Sequence, residues 1–362
     1  MESLGLDLFN NFYKNKTILI TGHTGFKGSW LSIWLHELGA KVIGYGLDPT
    51  TKMDNFVVSA VHNKIIDIRG DIRCEDKLQE VFNEYQPEIV FHLAAQPLVK
   101  ASYDNPKETY EINVMGTLNV LECIKNTKSV KVGVMVTTDK CYENKEQIWA
   151  YRENDPMGGY DPYSSSKGCA ELLINSYRNS FMNPKNHNEH GKAIASVRAG
   201  NVIGGGDWSK DRIIPDCVRA LINEKNIEIR SPKAVRPWQH VLEPLSGYLL
   251  LALKMYNDGV NYSSGWNFGP NPDSIVEVSQ IADLIIKQWG NGNWVDVSDN
   301  NAPHEATLLS LDCTKAKFYL GWNPKFHIKD AIELTISWYK NCINDYDSYA
   351  ICVNQINKYV NM

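Results

Sequence analysis

Two hydrophobic rhythms alternate along this chain. Short, nearly continuous apolar runs occur at Thr17–Ile20, Lys41–Leu47, Glu88–Leu93, Val132–Val136 and Ala193–Arg198. Runs of this length without polar alternation predict strands buried on both faces. Between them, apolar positions fall three and four apart over Ser29–Leu38, Glu75–Tyr85, Pro106–Lys125 and Tyr163–Phe181, which predicts helices. A shorter run, Lys64-Ile65-Ile66, leads into Asp67 and then Asp71-Ile72. Strands alternating with helices in this way predict an α/β fold, a doubly wound parallel sheet covered on both faces with right-handed crossovers.

Outside that alternation the pattern is weaker. Residues 1–16 read as a polar lead-in with at most one loose helix. Beyond about residue 200 glycine loops and short elements take over, beginning at Gly204-Gly205-Gly206-Asp207-Trp208, with helices expected at Asp283–Trp289 and Ile328–Lys340. The expected division is a nucleotide-binding domain over 1–200, rejoined by a segment at about 235–260. A smaller, partly interleaved substrate domain occupies the rest of 201–362. No repeat or flexible linker separates them, so close packing is expected.

Composition narrows the classes. The 362 residues are 43% hydrophobic and 22% charged, with a net charge of −5, ordinary for a globular protein and unsuited to general affinity for nucleic acid or anionic membrane. Eight cysteines are scattered, with no CxxC and no histidine at zinc-ligand spacing; no metal is expected, and the thiols suit a reducing cytoplasm. The N-terminus carries acids and no apolar signal core, and the longest apolar run, Tyr248–Leu253, is far too short for a membrane span.

Candidate chemistry begins between the first strand and helix, at Thr21-Gly22-His23-Thr24-Gly25-Phe26-Lys27-Gly28. Glycines at 22, 25 and 28 permit a tight turn and close approach of backbone N–H groups and a helix N-terminus to a dinucleotide pyrophosphate, the Rossmann-like arrangement. Thr24, Phe26 and Lys27 belong to this loop, Lys27 as a phosphate charge or as a solvated lysine. Asp48, twenty residues past Gly28 at a strand end, can accept from an adenosine ribose and repel a 2′-phosphate, which favours NAD; the bland reading is a turn residue before Pro49. Asp71 and Ile72 follow the next strand and are candidates for the adenine edge.

A second cluster lies further along. The apolar run Val132–Val136 breaks into Thr137-Thr138-Asp139-Lys140, and Tyr163-Ser164-Ser165-Ser166-Lys167 follows. A tyrosine and a lysine four apart share one helix face. At about 5 Å and an effective dielectric of about 20, their attraction is about 3 kcal/mol, enough to draw the phenol down by about 2 pKa units before desolvation offsets part of it. Tyr163 is thereby expected to serve as a general base, with Lys167 also able to hold a nicotinamide ribose.

Taken together, the glycine loop, Leu93-Ala94-Ala95-Gln96, Asn113-Val114-Met115-Gly116-Thr117, Thr138 and Tyr163-x-x-x-Lys167 resemble the extended short-chain dehydrogenase/reductases over about residues 16–340. Thr138-Asp139 is similar to the nucleotide-sugar 4,6-dehydratases within them. Those usually continue Asp-Glu; Asp139-Lys140, with the Gly22–Gly28 loop and Arg198–Trp208, is similar to the branch that acts on CDP-glucose. The resemblance implies bound NAD, with Leu93, Ala94 and Ala95 beside it. Tyr163 would take the C4 hydroxyl proton while Thr138 holds that oxygen and the C4 hydride passes to NAD. Asp139 would protonate the departing C6 hydroxyl, and the hydride would return to C6. Lys140 stands where relatives place the glutamate that removes the C5 proton; it would act as a neutral amine or as a cation stabilising the enolate. Gln96, Asn201, Arg212 and Arg236 are the expected substrate contacts, His304-Glu305 weaker ones. The helices at Pro106–Lys125 and Ser165–Phe181 resemble the pair through which these enzymes form homodimers as a four-helix bundle.

Three rivals stay open. A 4-epimerase of the same fold needs Thr138, Tyr163 and Lys167 but has no use for Asp139-Lys140. A dTDP-glucose or GDP-mannose dehydratase differs only in a base that these residues do not read. A non-catalytic NAD-sensing regulator keeps the glycine loop but loses the Tyr-x-x-x-Lys pair.

Overall fold

The computed structural model of the chain describes residues 9–299 and 308–362; the His304-Glu305 expectation lies outside them. Seven parallel strands form the central sheet: β1 (Thr17–Thr21), β2 (Lys41–Gly46), β3 (Ile66–Arg69), β4 (Ile89–His92), β5 (Val132–Val136), β6 (Ala193–Arg198) and β7 (Gly265–Asn267). Their order is β7-β6-β5-β4-β1-β2-β3. The order reverses between β1 and β4, and a doubly wound sheet opens a crevice for ligands beyond the strand ends at that point. Every residue of β4, β5 and β6 is buried, which is why these strands read as unbroken apolar runs. β3 begins at Ile66, where the apolar run ends, and continues through Asp67 to Arg69.

Helices cover both faces: α1 (Phe26–Glu37), α2 (Glu75–Tyr85), α3 (Pro106–Tyr110), α4 (Gly116–Asn126) and α5 (Pro162–Ser180). A π-helical turn, Glu111–Met115, joins α3 to α4, so the expected single helix carries an extra residue in its middle. α1 starts inside the glycine loop, three residues before the periodic pattern does. In the later part, α6 (Ile213–Ile222), α7 (Leu242–Asn257), α8 (Val278–Trp289), α9 (Ile328–Ile343) and α10 (Ser348–Val360) join three two-stranded sheets. α7 is buried along most of its length. α10 lays Tyr359 edge-on against Trp34 of α1.

The lead-in is more than a polar tail. Phe9 and Tyr13 are buried, and the Tyr13 hydroxyl donates to the Leu249 carbonyl of α7. All eight cysteines are unpaired thiols. Among the described residues no helix is long and apolar enough to cross a membrane, and no cluster of His, Cys, Asp or Glu could hold a metal ion.

Candidate active site

A cleft of about 1480 Å³ runs along the C-terminal ends of the strands. At one end lies the glycine loop. Gly22 has φ +74°, and a Cβ there would stand 2.7 Å from the Ala94 nitrogen; a Cβ on Gly28 would stand 2.1 Å from the Gly22 carbonyl oxygen. Those two glycines are demanded by the chain itself. Gly25 is different: its Cβ would meet nothing closer than that oxygen at 3.4 Å, and the residue is exposed to the cleft at the cap of α1. Its bareness leaves a cradle at a helix N-terminus, where a diphosphate fits. Thr24, Phe26 and Lys27 line the same stretch. Lys27 turns inward: burial, then the Arg212 charge, push its ammonium down to about 8, opposed by Asp139 and Asp207.

Leu93, Ala94 and Ala95 line the wall beyond β4, and Asp48, Asp71 and Ile72 the far end. The Asp48 carboxylate is 88% exposed and 3.5 Å from Arg69 Nε, so its repulsion of a 2′-phosphate is partly offset by a neighbouring cation. Asp71 is held by Arg73 through Nε and Nη2, at 3.1 Å to Oδ1 and 2.7 Å to Oδ2, and this partner keeps its carboxyl below the usual range. Ile72 is buried against Gly116, where a Cβ would lie 2.6 Å from its Cγ2.

The second cluster expected from the sequence occupies the middle. β5 ends at Val136, and Thr138 caps a short helical turn, Asp139–Cys141, with its hydroxyl facing the Lys140 amide at 3.4 Å. α5 begins at Pro162 because Asp161 caps it, accepting from the Ser164 amide at 2.9 Å and the Ser164 hydroxyl at 2.6 Å; proline is well suited to the first turn. That start places Tyr163 and Lys167 on the face toward the cleft, which Thr138, Asp139 and Lys140 also line.

The electrostatics correct one expectation. Lys167 does not draw the Tyr163 phenol down; burial dominates and pushes it up to about 12, with the Thr138 hydrogen bond and Arg212 pulling the other way. Lys167 is itself pushed down by burial to about 8, and its ammonium faces the Val136 carbonyl at 3.4 Å. Desolvation acts on both partners here and exceeds their mutual attraction.

Of the expected substrate contacts, Asn201, Arg212 and Arg236 line the cleft. Asn201 takes a left-handed backbone, φ +46°. Arg212 Nη1 donates to Asp207 at 2.9 Å, and Arg236 Nη1 to the Val235 carbonyl at 3.0 Å. Gln96 is the exception: its Nε2 donates to Thr109 at 2.9 Å and its Oε1 accepts from the Leu98 amide at 2.5 Å, so this side chain shapes the loop instead of facing the cleft.

Sequence reasoning missed Glu171, one turn beyond Lys167. Its carboxylate accepts from Thr137 Oγ1 at 2.5 Å, Ser196 Oγ at 2.7 Å, and Arg198 Nε and Nη2 at 2.8 Å each. Burial opposes its charge, yet Arg198 and these donors hold it below its ordinary value. The network fixes Thr137 and with it the approach to Thr138. An acid four residues after Lys167 was the available signal.

A family model described as GDP-mannose 4,6 dehydratase matches residues 19–335. The chain belongs to this family. Within it, a CDP-glucose 4,6-dehydratase of Salmonella typhimurium is 50% identical over 351 residues, spanning 97% of this chain and 98% of that protein. The human dTDP-D-glucose 4,6-dehydratase is 27% identical over 90% of each chain. Among solved structures, dTDP-glucose 4,6-dehydratase of Bacillus anthracis in complex with NAD superposes with a TM-score of 0.75 at 22% identity, covering 92% of this chain and 99% of that one. A UDP-glucose 4-epimerase of Thermotoga maritima gives 0.76 at 24% identity, covering 90% and 99%. The last two show that this chain shares its fold with a dehydratase and with an epimerase.

Proposed function

We propose that this chain is an NAD-dependent CDP-glucose 4,6-dehydratase, forming CDP-4-dehydro-6-deoxyglucose for deoxysugar assembly of the O-antigen lipopolysaccharide type. The observation that carries the reading is the placement of Asp139 and Lys140 in the same cleft as Tyr163, Lys167 and Thr138, in a chain half identical to a curated CDP-glucose enzyme. An epimerase needs the last three alone. Gly22, Gly25 and Gly28 with the α1 N-terminus suit the NAD diphosphate, and Asp48 suits its ribose. Residues 1–200 with the returning segment near 235–260 act as the cofactor domain, and the rest of 201–362 chiefly as the cover for the nucleotide sugar.

Bound NAD supplies the acceptor for the C4 hydride, its return to C6, and a positive ring charge in the cleft. Tyr163 takes the C4 hydroxyl proton, its buried phenol needing nearby positive charge to do so at neutral pH. Thr138 holds the C4 oxygen. The resulting ketone acidifies C5–H. Asp139 gives its proton to the C6 hydroxyl, the C6–O bond breaks and water leaves. Lys140 takes the C5 proton and gives it back to C5 when the hydride returns to C6, or, staying charged, it stabilises the enolate while another base takes and returns that proton. Asn201, Arg212 and Arg236 hold the sugar diphosphate, the arginines by charge-assisted bonds.

The enzyme works in the cytoplasm as a homodimer. Its α4 and α5 region exposes Leu172 (61%), Phe181 (50%) and Met115 (49%), an apolar face suited to a four-helix bundle with a second copy. Sedimentation of Leu172→Glu tests this; a variant that sediments like the parent protein removes that interface.

Incubation with CDP-, dTDP- and UDP-glucose and GDP-mannose, followed by mass spectrometry, tests the reaction. Loss of one water from CDP-glucose alone is expected. Turnover of another sugar nucleotide, or epimerisation without mass change, overturns the reading.

A further inference from the structure

The backbone does not need a glycine at position 200. Gly22 has φ +74°, but Gly200 lacks a positive φ, so its conformation is open to other residues. What a side chain there would strike is Asp139. A Cβ on Gly200 would stand 1.7 Å from Asp139 Oδ2, 2.2 Å from Cγ and 2.7 Å from Oδ1, and these three are its nearest neighbours. No backbone atom is among them, in contrast to Gly22 and Gly28.

The carboxyl is confined from two directions. Thr138 Oγ1 donates to Oδ1 at 3.0 Å. Oδ2 is buried without a hydrogen-bond partner, so contact with Gly200, not a bond, limits it on that side. The surface beneath it is itself pinned. The Gly200 carbonyl accepts from Gln239 Nε2 at 3.2 Å, and the same amide donates to the Phe268 carbonyl at 2.9 Å. Gln239 is buried and pairs in parallel with Val202, while the Phe268 amide donates to the Arg198 carbonyl at 2.9 Å. The chain is thus fastened on both sides of Gly200, and an added methyl displaces the short Asp139 side chain before it displaces the backbone.

We infer that Gly200 is the seat of the Asp139 carboxyl, a positioning residue kept bare so that the acid lies where the departing C6 hydroxyl can reach it. In that step the Asp139 O–H bond breaks and an O–H bond forms on the leaving oxygen. The C6–O electron pair departs with the water, and the carboxylate keeps the pair of its former O–H bond. Proton transfer demands hydrogen-bond reach, and a misplacement of about 1 Å costs about 100-fold. C4 oxidation runs through Tyr163, Thr138 and the cofactor, so a displaced acid leaves that step largely alone.

The role rests on the dehydratase reading, and wild-type protein with CDP-glucose tests that reading separately. No water loss there sinks the reading; an active wild type beside an unslowed Gly200→Ala sinks the seat alone. In single turnover, near-ultraviolet absorbance of reduced nicotinamide reports C4 oxidation and mass spectrometry reports water loss. For Gly200→Ala the expected result is unchanged KM, C4 oxidation within about threefold of wild type, and water loss slowed about 10- to 100-fold. Asp139→Ala removes the carboxyl and makes room, so adding Gly200→Ala to it should slow water loss no further. Should Gly200→Ala alone fail to fold, the double variant decides: folding supports the seat, and failure shows that the backbone needs the glycine and overturns it. Unchanged water loss, equal slowing of both steps, or multiplicative losses in the double variant would each overturn it as well.

Discussion

The Thr138 hydroxyl donates to the carboxylate of its own neighbour, Asp139, at 3.0 Å, and it also meets the Tyr163 phenol, where it opposes the burial that raises that group to about 12. One small side chain therefore touches two of the groups that the proposed cycle asks to exchange protons. Thr138→Val should slow C4 oxidation and water loss together, each by about 100-fold. Thr138→Ser, which keeps the oxygen, should stay within about tenfold of wild type. Single-turnover absorbance and product mass check both; a serine variant as slow as the valine one would sink the hydroxyl's role.

Lys140 lines the cleft beside Asp139. Lys140→Ala should leave C4 oxidation intact and block water loss, so reduced cofactor accumulates on the enzyme. Normal product formation would remove Lys140 from the chemistry.

The three glycines of the loop should fail differently. Gly28→Ala drives a methyl to 2.1 Å from the Gly22 carbonyl oxygen, so it should lower thermal stability by several degrees. Gly25→Ala has room at 3.4 Å and should fold normally while binding NAD at least tenfold more weakly. Thermal melts and cofactor titration separate the two; equal NAD affinity for Gly25→Ala and wild type would argue against a diphosphate in that cradle.

Acid should destabilise the fold through His92. This ring is buried between Thr21 Oγ1 at 2.7 Å and Thr117 Oγ1 at 2.9 Å, tying β1, β4 and α4 together at the reversal of the sheet. Burial, then the Lys167 charge, push it down from 6.5 to about 3. The unfolded ring takes up a proton below pH 6.5 and the folded one resists until about pH 3, so stability falls as pH falls across that window. The expected loss is about 1.4 kcal/mol per pH unit from this group. Urea melts of wild type and His92→Gln at pH 7 and pH 5 measure it; identical pH slopes would discount the ring.

The doubly wound sheet was legible because its buried strands are unbroken apolar runs and its helices keep a 3.6-residue period. That Thr138–Lys140 and Tyr163–Lys167 meet in one cleft was legible for a local reason: the first three follow one strand directly, and the second pair spans one helical turn. What escaped was set by distance along the chain. The Glu171–Arg198 pair joins a helix to a strand. Gln96 stood beside a recognisable Ala-Ala turn, yet its amide is engaged by Thr109 and Leu98. The Tyr163 pKa was misjudged because attraction to Lys167 can be read from spacing, whereas the depth of burial cannot.

The sheet is finished late. β7 supplies the outermost strand only at Gly265–Asn267, pairing with β6, and buried α7 follows β6 by more than forty residues. A chain emerging from the ribosome must therefore carry β6 as an open, apolar edge until another seventy residues have been made. Such an edge invites pairing with other nascent chains. Slow translation or scarce chaperone should lower the soluble yield of this protein, and fragments ending near residue 200 should aggregate instead of folding as a free nucleotide-binding unit.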